Sequence, residues 1–146
     1  MNKADLTIET KSLSDLTPAP YNPRQISPEA LSGLRGSVER FGLVEPVVWN
    51  RRTGNVVGGH QRLKVLQSMG EATTQVIVVD LPEAEEKALN VALNNPSIAG
   101  EFTPELHRLL AEIEATLPEL SSLLRFDDLA DQMKHLLADL EPEEGL

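Results

Sequence analysis

The stretch NVVGGHQRLKVL, residues 55–66, decides the fold. A β-branched run ends in Gly58 and Gly59, and an amphipathic pattern begins directly after them. The order strand, glycine turn, helix places free backbone N–H groups at a helix N-terminus, where anions and above all phosphate bind. His60, Gln61 and Arg62 complete this glycine turn (residues 58–62), although cations there oppose the helix dipole. A bound anion would explain them, and a solvated turn is the alternative.

Three further elements flank the glycine turn in a fixed order. Asn22-Pro23-Arg24 precedes a helical pattern, a strand pattern with an internal proline covers residues 44–49, and a β-branched run covers residues 75–79. With the glycine turn, these motifs resemble the N-terminal domain of the ParB family, within the ParB/sulfiredoxin superfamily, over about residues 12–100. The resemblance implies an α/β fold with a small mixed sheet and helices, and the helical pattern after about residue 100 adds a C-terminal helical tail.

The resemblance also implies a nucleotide- or phosphate-binding site. The glycine turn would cradle phosphate, Arg24 would add charge, and Asn94 and Asn95 would close the site. Family members of the partition type bind CTP with Mg²⁺ and clamp DNA, so a nucleoside triphosphate (CTP or ATP) with Mg²⁺ is the expected cofactor. Asn94 stands where the family has an acid, and a neutral amide is a weaker Mg²⁺ ligand. Slow or absent hydrolysis is therefore expected.

The function implied is a regulatory module for DNA maintenance, partition or modification in a phage, plasmid or other mobile-element setting. A DNA methyltransferase is the protein partner that this setting implies. Two alternatives stay open: a ParB-like enzyme, which would be a nuclease, a phosphotransferase or a weak NTPase, and a protein-interaction module with a vestigial pocket. The sulfiredoxin branch uses a cysteine nucleophile where this chain has His60, and the chain contains no cysteine. Sulfinic acid reduction by that route is excluded.

Composition and charge set further bounds. The chain has 146 residues, enough for one domain with an aliphatic core and a small appendage. Residues 1–70 carry a net charge of +3 and residues 71–146 a net charge of −13. The overall charge of −10 predicts weak DNA binding by the isolated chain. The lack of cysteine, of a secretory signal and of a long apolar run predicts a cytoplasmic protein without membrane contact.

The pattern along the chain predicts three parts: a flexible N-terminus (1–11), the ParB-like domain (12–100) and a helical tail (101–146). Ser27-Pro28 marks a helix start, and Gly42 marks the end of that helix. A second helix over residues 60–69, a strand over residues 75–80 and a helix that opens at Pro82 follow.

Several polar residues outside the glycine turn have two interpretations. Glu45 could hold a metal or act as a base, but a solvated strand residue is the simpler reading. Arg51 and Arg52 indicate a solvated hairpin tip. His60 could act as a general base, a metal ligand or a phosphate donor, whereas the chain's other histidines lack clustered partners.

Overall fold

The computed structural model describes residues 5–22 and 24–140, without the side chains of residues 136–140. The strands are β1 (Ile8–Ser12), β2 (Thr17–Pro18), β3 (Val47–Asn50), β4 (Asn55–Gly58) and β5 (Thr73–Val79). The helices are α1 (Pro28–Phe41), α2 (His60–Ser68), α3 (Glu83–Leu93), α4 (Pro96–Ala99), α5 (Leu106–Thr116), α6 (Glu119–Leu123) and α7 (Phe126–Leu140). The chain divides into two compact units, and the division falls between Ala99 and Gly100.

One five-stranded sheet of order β1-β5-β3-β4-β2 organises the first unit. The pairs β1/β5 and β3/β4 are antiparallel, whereas β3/β5 and β2/β4 are parallel. The predicted α/β fold with a small mixed sheet is therefore confirmed. The glycine turn joins the interior strand β4 to α2, so the candidate site lies at the end of a buried strand.

Strand β1 corrects the prediction of a flexible N-terminus over residues 1–11. Residues 8–11 belong to β1, which pairs along its whole length with β5, Ile8 opposite Ile77. The local sequence is polar because β1 is an edge strand, and its order depends on a partner far along the chain. Residues 1–4 lie outside the described part of the chain.

The helix and hairpin boundaries follow local chemistry. Ser27 Oγ accepts a hydrogen bond from the Ala30 N–H at 3.1 Å and caps α1, as predicted. Gly42 ends α1 with a φ of 81°, also as predicted. Strand β3 begins at Val47 rather than at residue 44, since Pro46 has no N–H to give to the sheet.

The Trp49 side chain of β3 contacts both the edge strand β1 and the turn between β3 and β4. Its indole Nε1–H donates to the Gly54 carbonyl at 3.0 Å, which closes the β3–β4 hairpin. The Lys11 ammonium of β1 lies 4.4 Å from the centre of the indole ring. A single aromatic side chain therefore links β1, β3 and the hairpin turn.

The core of the first unit is aliphatic, as the composition predicts. Its buried members come from the start of the chain, the sheet and α2: Leu13, Leu16, Val47, Val56, Leu63, Leu66 and Val76. Leu43, Trp49 and Val78 pack against them. Both β4 and α2 contribute side chains to this core, and their packing holds the turn between them in place.

The second unit contains α5, α6 and α7, and it buries Leu106, Leu120 and Met133. Two helices, α6 and α7, follow Pro118. Within the described residues, no helix combines the length and the apolar character needed to cross a membrane. The domain bounds taken from the sequence stay a prediction, although the division at Ala99 falls close to them.

Candidate functional site

The glycine turn has the geometry that its sequence predicts. Gly59 is the N-cap of α2 and adopts a left-handed conformation, with φ 83° and ψ 26°. A Cβ at Gly59 would lie 3.2 Å from the Val47 Cα, so both the backbone angle and the space require glycine. The Leu63 N–H donates to the Gly59 carbonyl at 2.9 Å. The N–H groups of residues 60–62 precede that first intrahelical bond, and such groups at a helix N-terminus can bind an anion.

His60 is a buried side chain with a structural partner. Its Nε2 accepts a hydrogen bond from the Ala19 N–H at 3.1 Å, so the imidazole is neutral. Burial lowers the pKa of His60 below its ordinary value of 6.5, and the charges of Lys64 and Arg24 lower it further, against a hydrogen bond with the Val56 backbone. The contribution that His60 can offer a phosphate is therefore its backbone N–H.

Arg62 and Gln61 complete the first turn of α2. The Arg62 guanidinium forms an ion pair with Glu45, whose side chain is 69% exposed. Gln61 is half-buried. Glu45 is thus an exposed partner of the predicted phosphate-binding arginine, and a ligand phosphate at Arg62 would compete with it.

A second part of the candidate site is the arginine segment (residues 19–22 and 24), which contacts the end of α3. The exposed Arg24 donates from Nη1 to Asn94 Oδ1 at 2.5 Å. Arg24, Asn94 and Asn95 line a cavity of about 260 Å³ together with Asn90, Val91 and Pro96. Asn95 Oδ1 accepts from the Ser97 N–H at 3.0 Å and thereby caps the short helix α4. The structure therefore brings Arg24, Asn94 and Asn95 together in a cavity that the residues of the glycine turn do not line, and the binding role of these residues stays a prediction.

Asn90 connects this cavity to the strand before the glycine turn. It is 1% exposed, and its Nδ2 donates to the Val57 carbonyl at 2.9 Å. Its Oδ1 has no hydrogen-bond partner. The Asn94 Nδ2 in turn donates to the Asn90 carbonyl at 2.8 Å. At Gly58, an added Cβ would lie 2.9 Å from Leu93 Cδ1, so the end of α3 packs directly on the glycine turn.

Glu86 is a fully buried carboxylate that the sequence did not single out. It accepts hydrogen bonds from Tyr21 Oη at 2.6 Å, from Asn50 Nδ2 at 2.8 Å, from Asn55 Nδ2 at 3.2 Å and from Thr53 Oγ1. Burial alone would raise the pKa of Glu86, but these hydrogen bonds outweigh burial and lower it. The buried negative charge is therefore stabilised by four neutral donors.

Glu86, Asn90 and Asn94 form a polar stripe along α3, at the spacing of four residues that places side chains on one helix face. That spacing was the available sequence signal, and it was missed because acids and amides on a helix usually face solvent. Among the described residues, no group of three or more His, Cys, Asp or Glu side chains could hold a metal ion.

The chain is similar to a family model and to several known proteins. The family model for the ParB N-terminal domain matches residues 2–95. Stage 0 sporulation protein J of Bacillus subtilis is 28% identical over 158 residues, which cover 94% of this chain and 56% of that protein. The ParB-like nuclease domain-containing protein YnaK of Escherichia coli is 29% identical over 82 residues, which cover 56% of this chain and 93% of that protein. The chain spans about half the length of the chromosome-partitioning relatives that match most of it.

Solved structures agree on the fold. A C-terminally truncated ParB from Caulobacter crescentus, crystallised with CTP-γ-S, superimposes with a TM-score of 0.63 at 18% identity, over 81% of this chain and 71% of that one. A Pnob8-like ParB-N domain superimposes with a TM-score of 0.54 at 17% identity, over 95% of this chain and 50% of that one. The family model covers well over half of the sequence, and the chain belongs to the ParB N-terminal domain family.

Proposed function

We propose that the chain binds a nucleoside triphosphate, CTP or ATP, at the glycine turn and acts as a nucleotide-binding regulatory module in DNA partition or maintenance. The observation that carries the proposal is the left-handed Gly59, packed against Val47 at the start of α2. This arrangement leaves the N–H groups of residues 60–62 for an anion. Arg24 and Lys64 lie near enough to His60 to lower its pKa, so positive charge converges on the same end of α2.

The donor set fits phosphate better than a metal ion. Backbone N–H groups and arginines are phosphate ligands, whereas Asn94 Oδ1 already accepts from a guanidinium. Mg²⁺ would therefore be held mainly through the phosphates of the nucleotide. The fold neighbour from Caulobacter crescentus was crystallised with CTP-γ-S, which makes CTP the first ligand to test. A cytoplasmic location, the phage or plasmid setting and a methyltransferase partner stay predictions.

Titration calorimetry with CTP, ATP, GTP and UTP, with and without Mg²⁺, tests the proposal. Arg62→Ala should weaken binding by about 1.5–3 kcal/mol, the range for a hydrogen bond to a charged group. The matched control is Arg52→Ala, which removes an exposed arginine paired with Asp80 at the hairpin tip. Affinity should be unchanged in that control. Failure of the wild type to bind any of these nucleotides would refute the proposal, and equal affinity in Arg62→Ala would remove Arg62 from the site.

Phosphodiester or phosphate cleavage is the second candidate, because the similarity to YnaK extends over 93% of that protein. Its test is turnover of nucleotide or DNA by the purified wild type with Mg²⁺. Turnover that disappears with Arg62→Ala would establish that the chain is an enzyme. Binding without turnover would leave the regulatory module.

A further inference from the structure

The arginine segment is attached to α3 at two places. Near the start of the helix, the Tyr21 hydroxyl donates to Glu86 Oε2 at 2.6 Å. At its C-cap, Asn94 Oδ1 accepts from Arg24 at 2.5 Å. About 12 Å of helix separates Glu86 from Asn94, given a rise of ~1.5 Å per residue. The segment is therefore aligned along the helix by a pair of contacts rather than by one.

The first of these attachment points is rigid without the help of Tyr21. Asn50, Thr53 and Asn55, all from the β3–β4 hairpin, donate to the Glu86 carboxylate. Asn50 also forms two hydrogen bonds with the Leu81 backbone: its Nδ2 donates to the carbonyl, and its Oδ1 accepts from the N–H. Glu86 is thus a fixed acceptor, and Tyr21 is the donor that comes from the arginine segment.

Two hydrogen bonds lie within the arginine segment. The Asn22 N–H donates to the Ala19 carbonyl at 3.1 Å, and the Arg24 N–H donates to Asn22 Oδ1 at 3.4 Å. The Tyr21 ring also lies on α3, since the Lys87 ammonium is 5.6 Å from the ring centre. Tyr21 therefore holds the segment on α3, and the Asn22 side chain bonds the Arg24 N–H within the same segment.

We propose that the Tyr21–Glu86 hydrogen bond is a positioning contact, which holds the Arg24 guanidinium where it meets the phosphates of the nucleotide. The inference rests on the proposed function, because it assigns a role within the same site. Ordering a mobile backbone when a ligand binds costs conformational entropy, and a backbone that is already fixed avoids this cost. Tyr21 and Glu86 touch no ligand in this scheme and act through Arg24.

Tyr21→Phe tests the proposal because it removes the hydroxyl and keeps the ring. The matched control is Asn55→Ala, which removes another donor from the same Glu86 oxygen but leaves the arginine segment attached. Nucleotide affinity should fall about tenfold in Tyr21→Phe and less than about twofold in Asn55→Ala, while melting temperatures fall by similar amounts. Equal losses of affinity in the two variants would overturn the proposal.

A double-mutant cycle with Arg24→Ala separates positioning from general stability. If Tyr21 acts through Arg24, Tyr21→Phe should have little further effect on nucleotide affinity in the Arg24→Ala background. The same tenfold loss in both backgrounds would show that Tyr21 affects the site by another route and would refute the positioning role.

Hydrogen exchange of the ligand-free protein keeps this proposal separable from nucleotide binding. Amide exchange around Arg24 should be faster in Tyr21→Phe than in the wild type, and it should be unchanged in Asn55→Ala. If the wild type binds no nucleotide, the proposed function fails, and this exchange measurement alone decides whether Tyr21 holds Arg24. Unchanged exchange in Tyr21→Phe would refute the positioning role with or without nucleotide.

Discussion

The two sides of the candidate site are built by different means. The glycine turn is defined by its backbone, since one left-handed residue between a buried strand and a helix sets its shape. The arginine segment is defined by side chains, because Tyr21, His60 and Asn94 attach it to elements far away in sequence. The glycine turn can therefore be predicted from consecutive residues. The arginine segment, in contrast, depends on contacts that form only in the complete fold.

The largest expected effect comes from breaking the backbone-defined side with Gly59→Val. Valine at a φ of 83° is strained by about 1–3 kcal/mol, and its Cβ would press on the Val47 backbone. Nucleotide binding measured by calorimetry should be abolished, and the melting temperature should fall. The helical circular dichroism signal should largely remain.

Gly70→Val is the matched control for this strain. Gly70 has a φ of 75°, and nothing lies within 4 Å of an added Cβ. The control should lose stability through backbone strain alone and still bind nucleotide. If Gly59→Val binds like Gly70→Val, the glycine turn is an ordinary strand-to-helix connection.

A smaller effect, on the free energy of unfolding, is expected when His60 is protonated. The His60 side chain joins the two sides of the site through its hydrogen bond with the Ala19 N–H. The pKa of His60 lies below 6.5 in the folded protein, so the unfolded chain takes up a proton first as the pH falls. The free energy of unfolding should therefore decrease from about pH 6.5 downward, until the folded-state pKa is reached. Chemical denaturation across this range measures the slope.

The His60→Gln variant should lose this part of the pH dependence, and His107→Gln should keep it. The pKa of Glu86 is lowered from 4.5, so protonation of Glu86 reduces stability mainly below about pH 4.5, and the slope is measured above that pH. An unchanged slope in His60→Gln would show that the imidazole does not control the attachment of the arginine segment.

The smallest expected effect comes from Glu45→Gln, which frees Arg62 from an exposed ion pair. Such pairs contribute about 0.2–1 kcal/mol, so nucleotide affinity should rise only about 1.5- to fivefold. Glu39→Gln, which breaks the exposed pair with Arg35, should leave affinity unchanged. Weaker binding in Glu45→Gln would instead indicate that Glu45 takes part in binding a metal ion or the ligand.

The contrast between the two sides also explains what the sequence could predict. Helix α1, the β3–β4 hairpin and the glycine turn follow from capping residues, glycines and β-branched runs within a few positions of one another. Strand β1 was missed because its polar sequence becomes ordered only against β5. Glu86 and Asn90 were missed because burial of polar groups depends on donors from other elements, such as Tyr21.

The sheet order has a consequence for how the chain folds during synthesis. Both outer strands, β1 and β2, come from the first residues of the chain, and their partners β5 and β4 are made much later. Closing such long loops is entropically costly and slow, so non-local strand pairing lengthens folding times. On the ribosome, β1 must wait for the synthesis of β5 before its edge of the sheet can form.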